Sequence, residues 1–485
     1  MLIDNTTRVT LKKTNKKIFY YIRSGEVNIV VLNGSPKGDV SVTMQFIELT
    51  RKKFPQHRFT IYNISQKMGR IEKDPEAFDE IIGSIKGSDG VIWAFPLYYM
   101  LCHGNYKRFI EQVFEKKAEA AFKDKYAAAI TTSIKFYDHT ALEYIHSISD
   151  DLGMKYFGGY SALSEDFLKK KERDRFLFFA EDFFRAISQK EPLFRQFPPV
   201  VWDKPAYTST APSKKISAKG KKIVIVTDEK PGDYNLRKMT ARFAGCFKEE
   251  IETLNINDIE ILGGCQGCMK CAYDNHCAYE GKDNYIDLFN SKIKTADILI
   301  FAGSVKDRYL SSRWKTFFDR SFFNTHIPIL QNIQLGFIIS GPLAQLPNLR
   351  KMLEAYSPIQ LGNCTGFVTD EPGDSAQIDA EIQSLAERSL RYAEAGYISP
   401  YQFPTVAGRK LFRDEVLSDL KPVFQSDYKM YKKMKLFDFP QKKYFRRIVN
   451  TTFYYLLKIK PLRKKFQNIM KEGMIMQHKK VLNKI

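Results

Sequence analysis

Short apolar runs alternate with longer amphipathic stretches along most of this chain, and the whole alternation occurs twice. In the first half the runs are VNIVVLN (27–33), RFTIYNI (58–64), GVIWAFP (90–96), YAAAITT (126–132) and KYFGGYSA (155–162). In the second half they are KIVIVTD (222–228), EEIETLNI (249–256), ADILIFAG (296–303), LGFIISG (335–341) and TGFVTD (365–370). Five strands with intervening helices imply a parallel sheet covered on both faces, so the expected architecture is α/β, two doubly wound parallel five-stranded sheets in tandem. The stretch 191–221 is rich in Pro, Ser and Lys, shows no periodicity and reads as a linker. The expected division is an N-terminal arm (1–26), a first domain (27–190), the linker, a second domain (222–396) and a basic, mainly helical tail (397–485).

At 485 residues the chain has room for two or three domains, and 44% hydrophobic residues is the content of an ordinary globular protein. The first residues contain no apolar run of signal-peptide length, and no later run is long enough to span a bilayer, so a cytoplasmic location is expected. Disulfides are then not expected, and clustered cysteines read first as a metal or redox site. The net charge of +21 is uneven: from Gly396 onward there are 21 Lys or Arg against 6 Asp or Glu. A basic partner surface therefore belongs to the tail. Its segment 444–460 mixes Arg and Lys with Phe, Tyr and Leu, which suits peripheral contact with an acidic membrane or an acidic partner, or a helical cap packed on the second domain. No nucleic-acid recognition motif accompanies the charge.

The first strand of each domain delivers the chain to a loop at the carboxyl edge of its sheet. In the first domain that loop is NGSPKGDVSVTM (33–44), where Gly34 allows a tight turn and Ser35, Lys37, Ser41 and Thr43 offer donors beside a helix N-terminus. This is the chemistry of a monophosphate cradle, the alternative being an ordinary strand-to-helix turn. In the second domain the loop is TDEKPGDYNLRKM (227–239), with Asp228 and Glu229 where a phosphate would sit. Two carboxylates repel a phosphate dianion unless Lys230 or Arg237 compensates.

The segment GGCQGCMKCAYDNHC (263–277) places Cys265, Cys268, Cys271 and Cys277 within thirteen positions; the other three cysteines, Cys102, Cys246 and Cys364, are scattered. Thiolates three residues apart can converge on one inorganic cluster, a spacing related to that of bacterial ferredoxins. Four-cysteine zinc sites usually space two pairs further apart, and thiols without metal are the third reading.

The first domain resembles the NAD(P)H-dependent FMN reductases and quinone reductases of the flavodoxin-like fold, on Gly34, Ser35, Pro36, Ser41 and Thr43 of the first loop and on Pro96, Leu97, Tyr98 and Tyr99 after the third strand. The resemblance implies FMN with its phosphate on the first loop. Its ring would lie against Pro96 to Tyr99 and the loop 131–136, which begins Thr131, Thr132, Ser133 and lacks the glycines common there in the family. The second domain resembles the iron-sulfur flavoproteins, whose compact cysteine motif follows the second strand; this implies a 4Fe-4S cluster on the four clustered cysteines. Together the resemblances imply an oxidoreductase passing electrons from NAD(P)H through FMN, and through a 4Fe-4S cluster, to a small-molecule or protein acceptor, with no side chain acting as nucleophile or base. The alternative is a non-enzymatic electron carrier or assembly protein with a degenerate second domain. His103 and His139 fall near the expected flavin edge, where a polar or loop role is expected.

Overall fold

In the computed structural model, which describes residues 25–212, 214–438, 444–466 and Asn483, the apolar runs form two five-stranded parallel sheets. Residues 1–24 of the expected arm (1–26) and much of the far tail lie outside the described residues. The first lobe runs β1 (Asn28–Asn33), α1 (Val42–Lys53), β2 (Arg58–Asn63), α2 (Ile64–Lys73), α3 (Pro75–Lys86), β3 (Gly90–Pro96), α4 (Gly104–Glu115), β4 (Tyr126–Ser133), α5 (Asp138–Asp151), β5 (Lys155–Leu163) and α6 (Lys170–Ser188). Its strand order is β2-β1-β3-β4-β5, all parallel, with Val31 opposite both Ile61 and Ile92. Order therefore reverses at β1 and β3, and the crevice outside their carboxyl ends is where an open α/β sheet takes its ligand. The central strands read as unbroken apolar runs because both faces are covered: Val31 and Ile92 pack under α1 and α6, whereas Val30, Leu32, Trp93 and Phe95 face the other way.

The second lobe repeats the plan with β6 (Ile223–Thr227), α7 (Tyr234–Gly245), β7 (Glu252–Asn255), the short α8 (Tyr285–Leu288), β8 (Ile298–Ser304), α9 (Ser312–Arg320), β9 (Gln334–Ser340), α10 (Pro347–Ile359), β10 (Asn363–Thr369) and α11 (Ser375–Ala395), in the order β7-β6-β8-β9-β10. Then follow α12 (Phe403–Leu417), α13 (Gln425–Lys433) and α14 (Tyr444–Leu456).

The two lobes share one apolar core, and α4 packs on α9, the helix at the same place in the other sheet. The contact is reciprocal. The first amide of α4, Gly104 N–H, donates at 2.7 Å to Asp319, the eighth residue of α9; the first amide of α9, Ser312 N–H, donates at 2.6 Å to Glu111, the eighth residue of α4. Each carboxylate also pairs with a buried lysine one turn earlier, Lys107 with Glu111 at 2.8 Å and Lys315 with Asp319. Lys107 reaches Asp307 of the other lobe at 2.8 Å as well. Every buried charge here has a partner of opposite sign, and Glu111 and Asp319 also accept helix-terminal N–H groups, the condition for burying ions without a large penalty.

Candidate functional site

Asn33 closes β1 and organises the loop after it. Its Oδ1 accepts the Ser35 N–H at 2.9 Å, while its Nδ2 donates to Asn63 at the end of β2 at 2.7 Å. Ser35 Oγ accepts the Lys37 N–H at 3.2 Å, and Ser41 caps α1 by accepting the Met44 N–H at 3.3 Å. The helix cap leaves the other first-turn amides of α1 and the positive end of its dipole at the loop. Gly34 must be glycine: a Cβ there would lie 2.8 Å from the Tyr106 ring and 2.9 Å from Phe95. Thr43 Oγ1 and Thr132 Oγ1, 2.6 Å apart, tie the loop to the end of β4, and Leu97 N–H donates to the Thr132 carbonyl at 3.1 Å. Gly34, Ser35, Pro36, Lys37, Ser41, Thr43, Pro96, Leu97, Tyr98, Thr132 and Ser133 therefore gather at the carboxyl edge of β1, β3 and β4. Two of the expected residues point elsewhere. Thr131 shares a face with Ala127 and Ala129, toward the interlobe core, where its hydroxyl is buried without a hydrogen-bond partner. The Tyr99 ring packs against Phe322 and Tyr356 of the second lobe.

That turning of Tyr99 comes from the backbone. Tyr98 and Leu101 exchange hydrogen bonds of 2.8 and 3.0 Å across a two-residue turn whose central residues, Tyr99 and Met100, have φ of 37° and 63°. Two adjacent non-glycine residues at positive φ store strain, which is held here by the packing of the Tyr99 ring on Phe322 and Tyr356 and by the burial of Met100. The Tyr98 ring stays at the loop, edge-on to His103 with centroids 5.1 Å apart.

The cysteine segment lies between β7 and α8. It is anchored on α9 by Arg320, whose guanidinium grips Asp283 through bonds of 2.6 and 2.9 Å and donates to the Gly263 carbonyl at 3.1 Å. Asn275 Nδ2 adds a bond to the Phe323 carbonyl at 3.1 Å. Cys265, Cys268, Cys271 and Cys277 line one small cavity, floored by Arg320, Phe322 and Phe323. Cys271 is buried and Cys268 exposed, and burial pushes the Cys265 and Cys271 thiols up to about 12. Among the described residues no three His, Cys, Asp or Glu side chains are grouped to hold a single metal ion.

This segment rests on the first lobe's loop. His103, the N-cap of α4, accepts the Asn105 N–H on Nδ1 at 3.2 Å, so its Nε2 carries the proton and donates to the Cys265 carbonyl at 2.9 Å. Burial lowers its pKa, in keeping with the neutral tautomer these two bonds require. Gly267, at φ +62°, is the closest approach: a Cβ there would lie 2.5 Å from the Tyr98 hydroxyl and 2.8 Å from Lys37 Cε. The cysteine segment of one lobe thus lies against the loop after β1 and the turn after β3 of the other. Sequence spacing did not reveal this, although glycines at 263, 264 and 267 within the cysteine run were a signal of close backbone approach. His139 is exposed and stacks on Tyr137 at 5.6 Å. Beside the β4–α5 loop, a cavity of about 730 Å³ opens toward α10 and α12, lined among others by Tyr137, Glu354, Cys364 and Tyr401.

In the second lobe the corresponding loop is closed. Asp228 is buried and accepts the Ser311 hydroxyl at the N-cap of α9; burial raises its carboxyl to about 6 against the opposing effect of that bond. Glu229 pairs with Arg237 at 3.1 Å. Residues 205–210 of the linker lie over the first turn of α7: Tyr207 N–H donates to Asn235 at 3.0 Å, Asn235 Nδ2 donates to the Pro205 carbonyl at 2.7 Å, and the buried Tyr207 hydroxyl donates to Asp379.

Residues 27–167 match the NADPH-dependent FMN reductase family. The matched stretch runs from β1 to the end of β5 and includes the whole cradle, and it supports flavin- and NAD(P)H-dependent oxidoreductase chemistry for the first lobe. Solved structures similar to part of the chain include FerB, a flavoenzyme NAD(P)H:(acceptor) oxidoreductase from Paracoccus denitrificans, at 18% identity over 34% of this chain and 98% of that one, with a TM-score of 0.29. An FMN-dependent NADH-azoreductase from Bacillus anthracis is similar at 14% identity over 34% of this chain and 100% of that one, with a TM-score of 0.27. No curated protein matches the sequence. The loop after β1 lies within the residues that match the family, and the cysteine segment lies outside them.

Proposed function

We propose that the chain oxidises NAD(P)H with one FMN, held by the first lobe, and that Cys265, Cys268, Cys271 and Cys277 hold a 4Fe-4S cluster through which electrons leave for an acceptor. When bound, FMN takes a hydride as an electron pair and can release electrons singly, and a cluster carries one electron at a time. The chain's own residues bind and orient. Ser35, Ser41, Thr43 and the first-turn amides of α1 suit a phosphate; Asn33 fixes the Ser35 amide so that the loop is formed before ligand arrives. The donor set suits a cluster in that four thiols, and no carboxylate, line one cavity. Arg320, neutralised by Asp283, holds the segment from beneath, and His103 fixes it from the first lobe. The cavity beside the β4–α5 loop gives a nicotinamide or an acceptor room to approach the flavin side.

The observation that carries this reading is the seating of Gly267 on Tyr98 and Lys37, which puts the cysteine segment against the residues expected to meet the flavin. Asp228 and the docked linker favour a single flavin per chain. Anaerobic purification tests the whole: a yellow-brown protein with about one FMN and about four irons that oxidises NAD(P)H is expected. Cys268→Ser should lose iron and the broad visible absorption while retaining FMN. Protein without flavin sinks the enzyme; flavin with no iron in the wild type sinks the cluster and leaves the FMN reductase.

A further inference from the structure

The helix α14 has no buried residue. Phe445, Ile448, Val449, Phe453 and Leu456 recur at helical spacing along one face, with Arg446, Arg447 and Asn450 on the other, and the apolar side is open: Phe445 is 80% exposed and Ile448 66%. After a break at 457–459 a second helical piece at 460–466 folds back, so that Phe466 packs on Phe453 with ring centroids 6.2 Å apart, while Ile459 and Leu462 stay exposed among Lys460, Arg463, Lys464 and Lys465. Residues 444–466 carry seven Lys or Arg and no Asp or Glu. The apolar surface that these two helical pieces leave exposed marks an interaction surface.

We infer that residues 444–466 lie on the surface of an anionic lipid bilayer, apolar face down. Charge complementarity selects the occupant: every charged residue of 444–466 is basic, as on helices that rest in the plane of acidic headgroups. Composition agrees, since Tyr444, Tyr454 and Tyr455 present amphipathic rings of the kind that settle at the headgroup level, and Lys458 sits 4.8 Å over the Tyr454 ring with a stem long enough to keep its ammonium in water. The segment would lie on the bilayer without crossing it, because no described helix is long and apolar enough to span one.

The test is co-sedimentation of the full chain with phosphatidylcholine vesicles, with and without phosphatidylglycerol. Binding to the anionic vesicles alone, weakened by salt, is expected. Each neutralised charge should lower the partition coefficient about fivefold, so R446Q/R447Q/R463Q/K464Q should abolish sedimentation. F445S/F453S should also lose it, with flavin content and thermal unfolding unchanged in both variants because the altered side chains touch no core. Equal binding to both vesicle types, binding to neither, or full binding by F445S/F453S overturns the inference. So does a dimer in size-exclusion chromatography that F445S/F453S dissolves, which would assign the face to a second copy, and so does co-purified nucleic acid lost only from the glutamine variant.

Discussion

After β1 the first lobe presents Gly34 and Ser35; at the same point after β6 the second presents Asp228 and Glu229. Around that difference the lobes are alike. Their strand orders correspond, and α4 and α9 bury a lysine and an acid at the same two positions, each acid holding the other helix's first amide. Similar sheets thus present opposite surfaces: one carboxyl edge offers amides and hydroxyls, while the other is filled by a carboxylate tied to Ser311 and covered by residues 205–210. The second lobe instead contributes a long segment after β7 that reaches across to the open edge. A duplicated fold gains one composite site when one copy supplies the floor and the other the cover.

The comparison breaks most sharply at Ser35. Its side chain is buried beside the first turn of α1, so Ser35→Glu puts a carboxylate where a phosphate is expected, imitating Glu229 of the second lobe. Two close anions in a partly buried site disfavour one another by several kcal/mol, and FMN affinity should fall about a hundredfold or more. Flavin fluorescence released on gel filtration measures it. Iron held as proposed by the cysteines of the other lobe should stay; full retention of FMN would place the flavin elsewhere.

A smaller effect is expected at Gly267, which probes whether the lobes act as one site. Gly267→Ala must hold a side chain at φ +62°, about 1–2 kcal/mol of strain, and its methyl collides with the Tyr98 hydroxyl. FMN affinity should weaken several-fold although the substitution is in the other lobe, and Tyr98→Phe, which removes the colliding oxygen, should restore part of it. Unchanged flavin titrations for Gly267→Ala would mean that the cysteine segment does not bear on the cradle.

These two positions also show what sequence conveys. Both sheets were legible because buried parallel strands are near-continuous apolar runs, and every expected run contains its strand to within a residue or two, as NIVVLN and IVIVT do. The loop after β1 and the start of α1 were legible because a helix N-terminus with Ser and Thr donors has local causes. The meeting of His103 with Cys265, 162 positions away, was not legible, because it follows from the packing of α4 on α9 and from no local preference. Tyr99 likewise belongs to the expected ring-binding segment by position, but its positive φ turns it into the second lobe's aromatic core. The Pro-rich linker hides Tyr207, whose burial against α7 and α11 nothing in its composition announces.

In the second lobe the expected effect is on stability and its pH dependence alone, and it asks whether the loop after β6 is a closed acid in place of a weak phosphate site. Burial raises the folded-state carboxyl of Asp228 to about 6, against about 3.9 in an unfolded chain. The folded protein therefore binds this proton more tightly, so the group's contribution is fully present below pH 4 or so, is lost as pH rises through about 6, and stays lost above. Two pH units correspond to about 3 kcal/mol as an upper bound. Lys306 opposes the shift and Asp233 adds to it, but neither touches the carboxyl closely enough to cancel burial. Asp228→Asn is neutral throughout and keeps an oxygen for the Ser311 hydroxyl. Compared with the wild type, it should be about 1–3 kcal/mol more stable at pH 8, a rise of several degrees in Tm, and indistinguishable at pH 4. The measurement is the difference between the two Tm-against-pH curves, which removes the other titrating groups. A variant less stable at pH 8 would show that the ionised carboxylate has a cationic partner in the folded state, and the second lobe's loop would then be a binding surface whose charge is compensated.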